Sequence, residues 1–114
     1  MKLSPYWMAR HEEANQRFFD GMLRSIPVYT ALLHDCYGYY VDPEPKLNKV
    51  EHIVLSTELT HYQRGNILLH EMCHQATPDT HYHHHNWEWK EWMRRCGFKG
   101  KITSATGLRK ENWR

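Results

Sequence analysis

The sequence has no uninterrupted apolar run of the roughly 18 residues that a membrane-spanning helix needs, so no such helix is expected. Cysteine is scarce: Cys36, Cys73 and Cys96 form an odd, widely spaced set without a C-x-x-C pair. That argues against a disulfide framework and against a cysteine-rich structural metal cluster. An excess of one charge is missing too. Lys and Arg number 15 against 13 Asp and Glu, a net charge of +2, so the chain as a whole does not advertise a polyanion-binding surface. There is no internal repeat and no low-complexity linker. A length of 114 residues suits one domain, near the lower end of what an independent core supports. The expected unit spans 1–114, with its core over about 4–98 and a basic tail over about 99–114. Residues 1–7 carry no apolar signal core, which reads as the mature start of a cytoplasmic protein without membrane association.

Against these absences stands an abundance of histidine, 10 in all. Two of them frame His70-Glu71-Met72-Cys73-His74, an H-E-x-x-H motif. On a helix, residues four apart share a face, so His70 and His74 can direct two imidazoles at one ion. Glu71 is rotated by about 100° from His70, which puts its carboxylate beside the ion rather than on it. There it can take a proton from water. This is the zinc-binding half-site of the zincin metallopeptidases. The lead-in over 60–69 contains no proline, and Thr57 or Thr60 can supply the N-cap. Leu68, Leu69, Met72, Cys73 and Ala76 recur at three- and four-residue spacings, an apolar stripe that can pack inward. His70 and His74 then face a cleft from the adjoining flank, with Gln63 and Ile67 above them, and Pro78 ends the helix. Cys73, on the stripe, reads as a small core residue.

Catalytic zinc takes three protein ligands and leaves its fourth position open. The stretch 77–89 offers His81, His83, His84 and His85 as the third. His85 is favoured because it opens a segment in which Trp89, Trp92, Met93 and Cys96 recur at amphipathic spacing, and a packed helix holds a ligand more precisely than a loop. His81, His83 and His84 read as solvated or supporting. Glu88 reads as part of a solvated helix face, with a contact to a histidine ligand as the alternative.

Upstream the pattern is α+β. Ser4-Pro5 starts a helix whose Trp7, His11, Ala14 and Phe18 recur along one face, and Gly21 suits its stop. Segments 26–30 and 37–41 have the β-branched and aromatic content of strands. The two prolines of 42–45 make a loop. A short strand over 52–56 immediately precedes the motif helix, and residues 52–55 are expected as an edge strand that pairs with extended substrate.

The run Leu68-Leu69-His70-Glu71-Met72-Cys73-His74, followed by His85-Asn86-Trp87-Glu88-Trp89-Lys90, resembles the SprT-like metallopeptidase domain, the family that includes Spartan-type DNA–protein crosslink proteases. His85 occupies the position of that family's third ligand and Trp89 its following aromatic. The segment 15–23 is similar to the end of the family's first helix, and Gly38-Tyr39-Tyr40 and His52-Ile53-Val54-Leu55-Ser56 look like its two strands. The likeness covers roughly residues 12–98. Asn86 stands where the family has Gly, a substitution that left-handed backbone tolerates, and no cysteine follows Cys96 to build a zinc ribbon. The resemblance implies a small zincin-like domain: an N-terminal helix, a short mainly antiparallel sheet, an active-site helix, and a following helix with the third ligand.

The expected chemistry is zinc-dependent peptide hydrolysis, with one Zn²⁺ on His70, His74 and His85 and Glu71 as general base. Tyr82, His83 and His84 are candidates to stabilise the oxyanion. The expected partners are a protein or peptide substrate and, from the resemblance, DNA, single-stranded or crosslinked to protein. The basic tail, with Lys99, Lys101, Arg109, Lys110, Arg114 and Trp113, could contribute to nucleic-acid contact. Two alternatives stay open: a non-catalytic zinc domain, closed by a fourth ligand such as His81 or His83, and another metal-dependent hydrolase, which Glu71 disfavours.

Overall fold

Ser4 and Pro5 begin the first helix for the reason their chemistry gives. In the computed structural model, which describes residues 1–77 and 87–99, Ser4 Oγ accepts the Trp7 N–H at 3.2 Å, and Pro5 opens α1 (Pro5–Phe18). The helix stops where Asp20 and Gly21 take positive φ, 55° and 71°. Asn15 clasps the turn: its Nδ2 donates to the Leu23 carbonyl at 2.9 Å, and its Oδ1 accepts the Leu23 N–H at 3.0 Å. Trp7, His11, Ala14 and Asn15 form the buried face.

Four strands follow the α+β expectation: β1 (Lys2–Leu3), β2 (Val28–Ala31), β3 (Gly38–Val41) and β4 (His52–Ser56). They line up as β1-β2-β4-β3, with β2 and β4 parallel and the other two pairings antiparallel. This order corrects the placement of 52–55. β4 is an inner strand flanked by β2 and β3, and the edge beside the motif helix belongs to β3. The reason is legible in the burial: Ile53, Val54 and Leu55 are all 0% exposed, and a strand buried on both faces needs a continuous apolar run. The 42–45 segment leaves β3 as a loop and passes into a short 3-10 turn, Pro45–Leu47.

α2 (His61–Gln75) carries the motif and begins with a capping box. Thr60 Oγ1 accepts the Gln63 N–H at 3.3 Å, and Gln63 Oε1 accepts the Thr60 N–H at 2.9 Å. After Ala76 caps the far end, Thr77 Oγ1 donates to the Cys73 carbonyl at 2.9 Å. Pro78 lies outside the described residues. α2 packs across β3 and β4 and is flanked by α1 and α3 (Trp87–Arg95). On α3, Trp89 and Met93 are fully buried. Cys73 is a core residue as expected, its Sγ 3.9 Å from that of Cys96.

Gly38 sets the spacing between sheet and helix. A Cβ there would stand 2.7 Å from Ile67 Cγ2 and 2.8 Å from the Val54 carbonyl oxygen, closer than packed atoms tolerate. Its missing side chain brings β3 up against the α2 face that carries Glu71. Among the described residues, no helix is long and apolar enough to cross a membrane.

Candidate metal centre

α2 presents different faces to its neighbours, and helical spacing assigns them. Ile67, Glu71 and Gln75, four apart, face β3 and the chain before β2. His70 and His74 face α3, where Trp89 lies against both rings. Leu68 and Leu69 line a cleft toward α1. The helix is therefore buried more completely than an apolar stripe alone requires: Ile67, His70, Glu71 and Gln75 join Leu68, Met72 and Cys73 inside.

The nitrogens of His70 and His74 and the carboxylate of Glu71 all lie within 4.8 Å of one another. His70 is 2% exposed and Glu71 5%, with His74 half-buried. The two imidazoles stand 5.1 Å apart, centroid to centroid. Trp89 meets the His70 ring edge-on at 4.9 Å and stacks on the His74 ring at 5.6 Å. It is a wall that fixes both side chains. Two imidazole nitrogens with a carboxylate alongside suit a divalent transition-metal ion rather than calcium or magnesium, which prefer oxygen.

Burial pushes the Glu71 carboxyl up to about 8, opposed by a hydrogen bond from the backbone of Tyr40. A divalent cation on the neighbouring histidines would act in the same sense as that hydrogen bond, favouring the carboxylate. Behind Glu71 lies a polar cluster, with Glu51, Gln75 and His11 buried and Arg24 at the surface, that the pattern of apolar residues did not reveal. Tyr40 Oη donates to Glu51 Oε2 at 2.5 Å, and Arg24 Nε donates to Glu51 Oε1 at 2.9 Å. Gln75 Nε2 donates to the Arg24 carbonyl at 3.0 Å, while Gln75 Oε1 accepts from His11 Nε2 at 2.8 Å. Burial lowers the pKa of His11, partly offset by that bond, which suits a neutral imidazole in the core. One sequence signal could have found part of this cluster: Gln75 is one turn beyond Glu71 on the same face.

The structure thus brings His70, Glu71 and His74 together. His85, the expected third ligand, and the alternatives His81, His83 and His84 lie outside the described residues, as do Tyr82 and the tail from 100 onward. Glu88 is exposed on α3, as a solvated face requires.

No curated protein and no solved structure shows significant similarity to the chain. The sequence profile of the SprT-like family matches residues 8–108, most of the molecule and all of the centre described above, and the protein therefore belongs to the SprT-like family.

Proposed function

We propose that the protein is a zinc-dependent metallopeptidase in which one Zn²⁺ is held by His70, His74 and His85, with Glu71 as general base. The observation that carries this reading is the buried His70–Glu71–His74 group, whose carboxyl is addressed by the backbone of an edge strand. Membership of the SprT-like family, which points to a metallopeptidase-like domain, supports it. When bound, zinc supplies Lewis-acid polarisation of water and of the scissile carbonyl. Glu71 takes the proton from the attacking water and passes it to the leaving amine. Trp89 keeps both imidazoles in place and shields their inner side from solvent. β4 lies inside the sheet, so the substrate-pairing role expected of 52–55 does not fall to it; the sheet edge beside α2 is that of β3.

The test is the metal content of untagged protein purified without added metal, beside His85→Ala and His70→Ala. About one zinc per chain, weakened in both variants, is the expected result. Full retention in His85→Ala would move the third ligand to His81, His83 or His84. Absence of tightly held metal from the wild type would overturn the peptidase reading.

A nucleic-acid partner for the same domain has its own supporting observation. The cleft between α1 and α2, about 300 Å³, adjoins a second of about 380 Å³. Lys2, Arg10, Arg17 and Arg64 line the pair. Of these, only Arg10 is ion-paired among the described residues, to Glu13. Tyr6 and Tyr62 stand 47% and 54% exposed between the cations. Exposed rings beside Lys2, Arg17 and Arg64, which have no carboxylate partner among the described residues, suit the bases and phosphates of a single strand. A labelled single-stranded oligonucleotide should bind in a salt-sensitive way. Arg17→Ala and Arg64→Ala should each lower the salt slope by about one. Unchanged binding in these variants, with loss on deleting 101–114, would assign the contact to the tail instead.

A further inference from the structure

We infer that Tyr40 and Glu51 are positioning residues for Glu71, acting through a ring of hydrogen bonds that ties the edge strand to two successive turns of α2. The inference rests on Glu71 being the general base of the proposed function.

The register of β3 is the starting point. Ser56 N–H donates to the Tyr37 carbonyl at 3.0 Å, so 37 and 56 form a bonded pair of the antiparallel ladder. Alternation then leaves Gly38 and Tyr40 with their N–H and C=O groups pointing away from β4. An outward amide on an edge strand ordinarily ends in water. That of Tyr40 ends on the Glu71 carboxyl. The same residue is anchored at its other end, where its hydroxyl donates to Glu51. Glu51 is gripped in turn by Arg24, whose Nε and terminal nitrogen both approach Oε1 at 2.9 Å. The Arg24 carbonyl accepts from Gln75, one turn beyond Glu71. The ring therefore leaves α2 at Glu71 and returns to it at Gln75.

Glu51 is only 7% exposed and has no place among the metal-binding side chains. Stability alone does not explain it, because an ion pair whose arginine side chain stands 72% exposed adds little stability of its own. What the ring does achieve is to fix the Tyr40 backbone at both ends, and so the direction from which its N–H meets Glu71. A carboxylate has about four acceptor directions. Occupying one of them with a fixed donor orients the rest for proton transfer, and transfer is sensitive to small misplacements.

Tyr40→Phe and Glu51→Gln, made in the full zinc-loaded chain and assayed on fluorogenic casein beside Glu71→Gln, test this. The expected result is a roughly tenfold fall in kcat with KM and zinc content close to wild type, the size of one lost hydrogen bond to a charged group. A readout independent of turnover is hydrogen exchange at the amide of residue 40: slow in the wild type, fast in Tyr40→Phe and in Glu71→Ala. Wild-type kcat and slow exchange in Tyr40→Phe, with Glu71→Gln inactive, would overturn the positioning role alone. Equal hydrolysis by the wild type and Glu71→Gln would overturn the base assignment and the positioning role with it.

Discussion

Glu71→Gln should retain its zinc and lose peptide hydrolysis by at least about 100-fold and up to about 10,000-fold, the range attributable to a general base. Glutamine keeps the size of the side chain and can still receive the Tyr40 N–H, but its amide cannot take a proton from water at neutral pH. The histidines are untouched, so zinc content separates loss of the base from loss of the metal. The metal-free protein offers a second readout of the same substitution. Burial raises the Glu71 carboxyl from 4.5 to about 8 in the folded state. Between those values the folded state binds more protons than the unfolded one. Linkage then makes stability fall as pH rises from about 4.5 to about 8, with no further loss above. The full effect is of the order of a few kcal/mol. Glu71→Gln should abolish this slope and leave the metal-free protein more stable than wild type at pH 9. Added zinc should restore the wild type, since a cation beside the carboxylate offsets the cost of burying it. Denaturant titrations of the metal-free pair at pH 5 and pH 9 read the sign directly, and parallel curves would refute the buried-carboxylate account.

The sequence revealed those parts of the centre that obey helical spacing. Two histidines four apart must share a face, and the glutamate between them must be offset, so His70, Glu71 and His74 could be grouped without coordinates. The cap at Thr60, the helix start at Ser4-Pro5 and the apolar positions of α3 follow from equally local rules. Strand order does not. Nothing local distinguishes an inner strand from an edge one except the apolar run Ile53-Val54-Leu55, and proximity to the motif helix led the edge role to be placed there instead of on β3. The two-residue β1 is too short to carry any pattern. The Arg24–Glu51–Tyr40 cluster joins residues 11 to 27 apart by side-chain hydrogen bonds, and polar partners at such separations leave no periodicity to read. Gly38 was visible as a glycine, but its reason, a helix side chain at 2.7 Å from where a Cβ would stand, exists only after folding.

Trp89→Ala should destabilise the protein by about 3–5 kcal/mol, the usual cost of deleting a fully buried large aromatic. For a chain of this length that lowers Tm by roughly 10–20 °C. Trp89 is 0% exposed and meets both His70 and His74, so the cavity opens directly behind the candidate ligands. Two consequences should therefore appear together. The imidazoles lose the wall that limits their rotamers, and zinc affinity falls even though no ligand has been changed. The docking of α3 on α2 also loosens, because only Met93 among the other residues of that helix is buried. Saturating zinc should recover part of the lost stability, since an ion that binds only the folded state stabilises it by mass action. Trp89→Phe keeps a ring against the histidines and should lose much less on both counts. Thermal unfolding of the three proteins, with and without zinc, gives the comparison. If Trp89→Ala melts within a few degrees of wild type and binds zinc equally well, Trp89 is not the element that holds His70 and His74 in place.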